Sequence, residues 1–129
     1  MRDIFIIGAG GFVGAVLRYL AILSMQVFKT KTSIPIGTLL VNVLGCLLIG
    51  FLAVLAENNK FISSETRNFL IVGILGAFTT FSTFGYESIN LLKSGLNFHF
   101  MLNIFLQIIL GLAAVWGGMN LAHFLQPKS

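Results

Sequence analysis

Gly73-Ile74-Leu75-Gly76-Ala77-Phe78-Thr79-Thr80-Phe81-Ser82-Thr83-Phe84-Gly85 lies inside an apolar stretch that runs from about Asn68 to Leu92. A helix needs about 20 residues to cross the bilayer core, and this stretch has them. Within it, four hydroxyl side chains alternate with three phenylalanines. Hydrocarbon offers such groups no hydrogen-bond partner, so the run must line a path or bind something. Gly73 and Gly76 weaken the helix just ahead of Thr79 and Thr80, which predicts a break. A break frees backbone carbonyls, which neighbours, water or a cation must then satisfy.

The surrounding chain supports a membrane setting. It has 129 residues, 57% hydrophobic and 9% charged, with a mean hydropathy of +0.96. A soluble domain carries about 25% charged residues, so this composition predicts an integral membrane protein. Three further stretches are long enough to span: about Ile4 to Val27, Ile36 to Ala56 and Phe100 to Leu125. The first is too long for a signal-peptide core and lacks a convincing cleavage site, so it is expected to stay in the mature protein. The expected fold is an all-α membrane protein, a single four-helix transmembrane domain over residues 1–129.

Short polar connectors separate the spans: Lys29-Thr30-Lys31-Thr32-Ser33, Glu57 to Arg67, and Lys93-Ser94-Gly95. Pro35 suits the first turn of the second span, with Thr32 or Ser33 as its cap. Ser63 or Ser64 followed by Glu65 reads as a helix start, Gly95 as a stop, and Pro127 lies beyond the last span.

Four spans put both termini on one side. Arg2, Lys60, Arg67 and Lys128 share that side, against Lys29, Lys31 and Lys93, with Arg18 nearer the second group. An excess of Lys and Arg normally sets orientation, and here there is almost none. The near balance predicts insertion both ways up and pairing of opposite copies, an antiparallel dual-topology dimer. The plain alternative is that the first span or the lipid decides orientation. Because four short helices fill their own centre, a path is expected between subunits.

The composition also excludes function classes. The lone Cys46 rules out an internal disulfide and argues against a thiolate metal site; His99 and His123 lack ligand spacing. No basic cluster points to nucleic acid. Gly8-Ala9-Gly10-Gly11-Phe12-Val13-Gly14 imitates a dinucleotide turn, but no Asp or Glu follows between Asp3 and Glu57. Gly10 and Gly14 read instead as a GxxxG contact between membrane helices. No Ser–His–acid set or paired carboxylates are present, so no enzyme is expected.

The polar residues inside spans each carry two readings. Arg18 either snorkels to the loop or draws anions into a vestibule. Thr38 and Asn42 share a helix face; Asn42 is helix–helix glue or an amide N–H for an anion. Glu87 is the only carboxylate within a span and hence a proton-coupling candidate, capped by a partner such as Arg18. Thr79 and Thr80 mark the break, where oxygen donors suit a hard cation such as sodium. Phe81 and Phe84 point the same way, and their positive ring edges favour a small, weakly held anion. Asn103, Gln107 and Gly111 form a stripe, either the wall of a path or a packing surface.

At Gly37-Thr38-Leu39-Leu40-Val41-Asn42-Val43-Leu44-Gly45 and Thr79-Thr80-Phe81-Ser82-Thr83-Phe84 the chain resembles the Fluc (CrcB) fluoride channel family. The resemblance extends to Gly11 through Tyr19, to the length and to all four spans. It implies a dual-topology homodimer in the inner membrane that passively exports fluoride through two pores along the subunit interface. By motif position it makes Asn42 the pore asparagine, and Phe81 and Phe84 the pair that contacts fluoride. Thr80, Ser82 and Thr83 would add hydroxyl contacts; Thr38, on the helix face of Asn42, is a further candidate for the fluoride pathway. Gly76 and Thr79 would offer backbone carbonyls to a central sodium ion, the one expected cofactor. Arg18 and Glu87 match family positions. Asn103 and Gln107 depart from it, because some members carry a Tyr and Ser track there. The rival is a small dual-topology proton-coupled exporter, which wants an acid deep in the first span; none follows Asp3 there.

Overall fold

A computed structural model describes residues 1–27, 32–57 and 62–126. Lys29-Thr30-Lys31, Lys60, Pro127 and Lys128 lie outside the described residues. Most of the described residues are helical, in the order α1 (Arg2–Val27), α2 (Ile36–Glu57), a broken third span, and α6 (Asn97–Leu125). The third span begins as α3 (Ser64–Arg67), widens into a π-helix (Asn68–Leu75), tightens as α4 (Gly76–Phe78) and restarts as α5 (Phe81–Lys93). Among the described residues, four helices are thus long and apolar enough to cross a membrane, one of them bent.

Local chemistry sets the ends. Ser63 caps α3 by accepting the Thr66 N–H at 3.2 Å. Gly95 stops α5 with a φ of 73° that a side chain would resist. Its N–H donates to the Leu92 carbonyl and that of Leu96 to the Leu91 carbonyl, each at 3.0 Å, closing a Schellman turn. The start of α2 differs from expectation. Pro35 stands just outside the helix, and its carbonyl accepts the Leu39 N–H at 3.1 Å. Thr32 is too far back to cap; its hydroxyl accepts the Ile34 N–H at 3.2 Å and makes a local turn instead.

The spans pack as two parallel pairs, α2 along α6 and α1 along the third span. In the first pair three α2 residues at four-residue spacing face partners 65 positions later: Asn42 faces Gln107, Cys46 faces Gly111 and Gly50 faces Val115. In the second, Gly10 and Gly14 press on backbone at Phe69, Gly73 and Ile74, where any β-carbon would overlap. The GxxxG reading of α1 therefore holds, and Gly73 gains a meaning besides helix weakening: its backbone meets Gly10 directly. Arg2 and Glu65 pair at 2.9 Å, placing the starts of the first and third spans at one end.

Burial runs opposite to that of a soluble protein. The largest fully buried side chains are Val41, Val54, Asn103 and Thr38, two of them polar. Phe5, Phe12, Trp116 and Phe124 are each more than 70% exposed. Apolar outside and polar inside suits lipid as the solvent, so this is a multi-pass membrane protein.

Candidate functional site

The break in the third span organises the site. Thr79 (ψ 155°) and Thr80 (φ −149°, ψ 110°) are extended, separating α4 from α5. In a continuous helix the Thr80 N–H would reach the Gly76 carbonyl, and the Thr83 N–H that of Thr79. Both go elsewhere. Thr80 N–H donates to Asn42 Oδ1 at 2.8 Å. Thr83 N–H donates to Thr80 Oγ1 at 3.2 Å, capping α5. The backbone oxygens of Gly76 and Thr79 are thereby released from their helical partners.

Asn42, one span away, repairs the exposed peptide. Besides accepting from the Thr80 N–H, it donates Nδ2–H to the Thr80 carbonyl at 3.1 Å. Its second Nδ2–H donates to Gln107 Oε1 at 3.0 Å. A peptide group left bare at this depth costs several kcal/mol, so one side-chain amide holds the break, α2 and α6 together. Thr80 Oγ1–H donates to Thr83 Oγ1 at 2.9 Å, and Ser82 Oγ stands 3.3 Å from it.

One helical turn away, about 6 Å along α2 and α6, lies a second polar tier. Thr38 Oγ1–H donates to Glu87 Oε1 at 2.9 Å. Asn103 Nδ2–H donates to Ser88 Oγ at 3.0 Å, and Ser88 Oγ–H to the Phe84 carbonyl at 2.7 Å. Each tier leaves buried polar atoms without a protein partner among the described residues: Glu87 Oε2, Asn103 Oδ1 and Gln107 Nε2.

Two recesses flank the tiers. A cavity of about 370 Å³ opens beside the inner tier; its polar corner is Asn42, Thr80 and Gln107, with Phe81 and Phe84 alongside. The two rings meet edge-on, centroids 5.5 Å apart and planes 65° apart, and Phe81 is 82% exposed. Gly76 and Thr79 stand in the same wall. A recess of about 230 Å³ at the outer tier is lined by Ser33, Pro35, Glu87 and Asn90.

The structure thus brings Asn42, Thr80, Phe81, Phe84, Gln107, Gly76 and Thr79 to one cavity, and Thr38, Glu87 and Asn103 to the next turn. Gln107 and Gly111 face α2, at Asn42 and Cys46, whereas Asn103 reaches Ser88 on α5. The expected partnership of Glu87 with Arg18 is replaced by Thr38, because the α2 hydroxyl faces α5 directly. Among the described residues no ion pair involves Arg18, which is half-buried on α1. Ser88 in the outer tier and Cys46 in the cavity wall escaped the sequence reading. Ser88 lies four residues after Phe84 on the same helix face, a spacing that could have revealed it. Cys46, weighed in the sequence for disulfide and metal chemistry, lines the cavity; its place depends on the parallel pairing with α6, which no local pattern shows.

The family profile described as CrcB-like protein, Camphor Resistance (CrcB), matches residues 5–119. Similar proteins include a fluoride-specific ion channel FluC from Campylobacter jejuni, 48% identical over 92% of this chain and 95% of the relative. Fluoride-specific ion channel FluC 1 of Methanosarcina barkeri is 49% identical over 89% of this chain and 92% of the relative. Its namesake in Methanosarcina acetivorans is 43% identical over 98% of both chains. A profile match over most of the chain, with relatives this similar along nearly their whole length, makes this chain a member of the CrcB-like family.

Proposed function

We propose that this chain is a fluoride-selective ion channel of the inner membrane that lets fluoride leave the cytoplasm passively. The observation that carries the reading is the central cavity. Amide and hydroxyl groups at a helix break stand beside two phenylalanines meeting edge-on, inside a bundle whose outer surface suits lipid. The names of the relatives point the same way.

Fluoride is small and holds its water tightly, so a path must offer hydrogen-bond donors in exchange. Donors around Thr80 replace part of that shell. The positive edges of Phe81 and Phe84 hold the ion weakly enough for it to leave. The chemistry is binding and release, with no bond made or broken. In the proposed assembly two opposite copies form a dual-topology homodimer with two pores, which closes the open side of the cavity. Gly76 and Thr79 carbonyls, freed of their helical N–H partners, are the hard oxygen donors that a sodium ion takes. Bound there, sodium would offset negative charge and tie the two copies together.

The test is fluoride efflux from liposomes holding the purified protein, with chloride-loaded vesicles alongside. Fast fluoride release without matching chloride release, lost in Phe81→Ile, is the expected result. No fluoride release from folded protein in sodium-containing buffer would overturn the reading.

A further inference from the structure

We propose that Gln107 supplies the side-chain amide donor that meets the anion, and that Asn42 acts as its positioning residue. The inference rests on the channel reading above and names the group that does the recognition in this chain.

The argument is a count of hydrogens. The Thr80 peptide presents one N–H and one carbonyl to Asn42, which fixes the orientation of the Asn42 amide: oxygen to the N–H, nitrogen to the carbonyl. An amide nitrogen carries two hydrogens. One Asn42 hydrogen goes to the Thr80 carbonyl and the other to Gln107 Oε1. Asn42 therefore has no donor left for an ion.

The same constraint passes to Gln107. Its oxygen must face the Asn42 hydrogen, so its nitrogen is turned away from Asn42 with both hydrogens uncommitted. Gln107 Nε2 is buried and has no partner among the described residues. The residue stands in the wall of the cavity with Phe81 and Phe84. The hydroxyl donors in the cavity wall are already engaged, Thr79 Oγ1–H in donating to the Leu75 carbonyl and Thr80 Oγ1–H in donating to Thr83, and Thr38 Oγ1–H donates to Glu87 one turn away; Ser82 and Thr83 do not line the cavity. A buried N–H₂ without an acceptor is costly to keep unless water or an anion meets it, and an anion accepts more strongly. In this chain the Thr80 peptide orients Asn42, Asn42 orients Gln107, and Gln107 offers the free donors.

The experiment is fluoride efflux from liposomes with wild type beside Gln107→Met, and side-chain amide NMR of the wild type in detergent. Methionine keeps the length of the side chain, removes its N–H donors and adds no charge to the membrane interior. The expected flux loss is about tenfold or more, the consequence of losing one hydrogen bond to a charged partner. In the NMR arm, sodium fluoride should shift the Gln107 N–H₂ signal, sodium chloride should not, and the Asn42 signal should move less than that of Gln107. This arm uses only wild-type protein, so it decides the matter even where Gln107→Met does not fold. A folded Gln107→Met with flux within about twofold of wild type would overturn the proposal. So would a fluoride-dependent shift at Asn42 with none at Gln107. Wild type that conducts no fluoride would instead remove the channel reading beneath it, an outcome distinct from either.

Discussion

Replacing Asn42 with alanine should cost this protein much of its stability, because that one amide satisfies three groups. The Thr80 N–H, the Thr80 carbonyl and Gln107 Oε1 would all lose their partner. Thr80 is 5% exposed, so solvent around the bundle cannot readily replace the amide. A buried polar group left unpaired costs about 1–3 kcal/mol, which puts the upper limit near 9 kcal/mol. Interhelical hydrogen bonds in membranes average only about 0.6 kcal/mol, which puts the lower limit near 2 kcal/mol. The open cavity beside Asn42 admits water to part of the site, so the lower half of that range applies. We expect a loss of about 3 kcal/mol, roughly a hundredfold in the folded-to-unfolded ratio. The assay is reversible unfolding in detergent micelles titrated with SDS, followed by far-ultraviolet circular dichroism. Asn42→Leu separates the two possible causes: it fills the space but offers neither donor nor acceptor, and should lose as much as Asn42→Ala. If leucine restored wild-type stability, packing and not hydrogen bonding would be what Asn42 supplies. Losses below about 0.5 kcal/mol in both variants would refute the reasoning altogether, being no more than an ordinary surface change.

Two further outcomes follow from the packing and the outer tier. Gly14→Val should abolish or severely reduce folded protein, since its side chain would overlap the Ile74 backbone; Gly8→Ala, with open space around it, should leave the folded yield on size-exclusion chromatography unchanged. Glu87→Gln keeps an oxygen to accept the Thr38 hydroxyl. Fluoride flux in liposomes should persist without a pH gradient, whereas loss of flux together with its pH dependence would favour a proton-coupled exporter.

What a sequence can determine is what depends on near neighbours. Four apolar stretches of membrane length, the glycine stop at Gly95 and the Ser63 cap are written in runs of a few residues, because hydropathy and backbone preference act locally. The break at Thr79–Thr80 was legible for the same reason, as polar β-branched residues following two glycines inside a span. The π-helix from Asn68 to Leu75 was not legible; its backbone lies against α1 at Gly10 and Gly14, a contact made across some 60 residues of chain. Nor could the sequence say that Glu87 turns to Thr38 and not to Arg18, that Cys46 lines the cavity, or that Asn42 spends its donors on Thr80 and Gln107. Hydrogen bonds saturate: an amide nitrogen has two hydrogens and no more. Which donor remains free is settled only when every partner, from positions 38 and 65 residues away, has been brought into place.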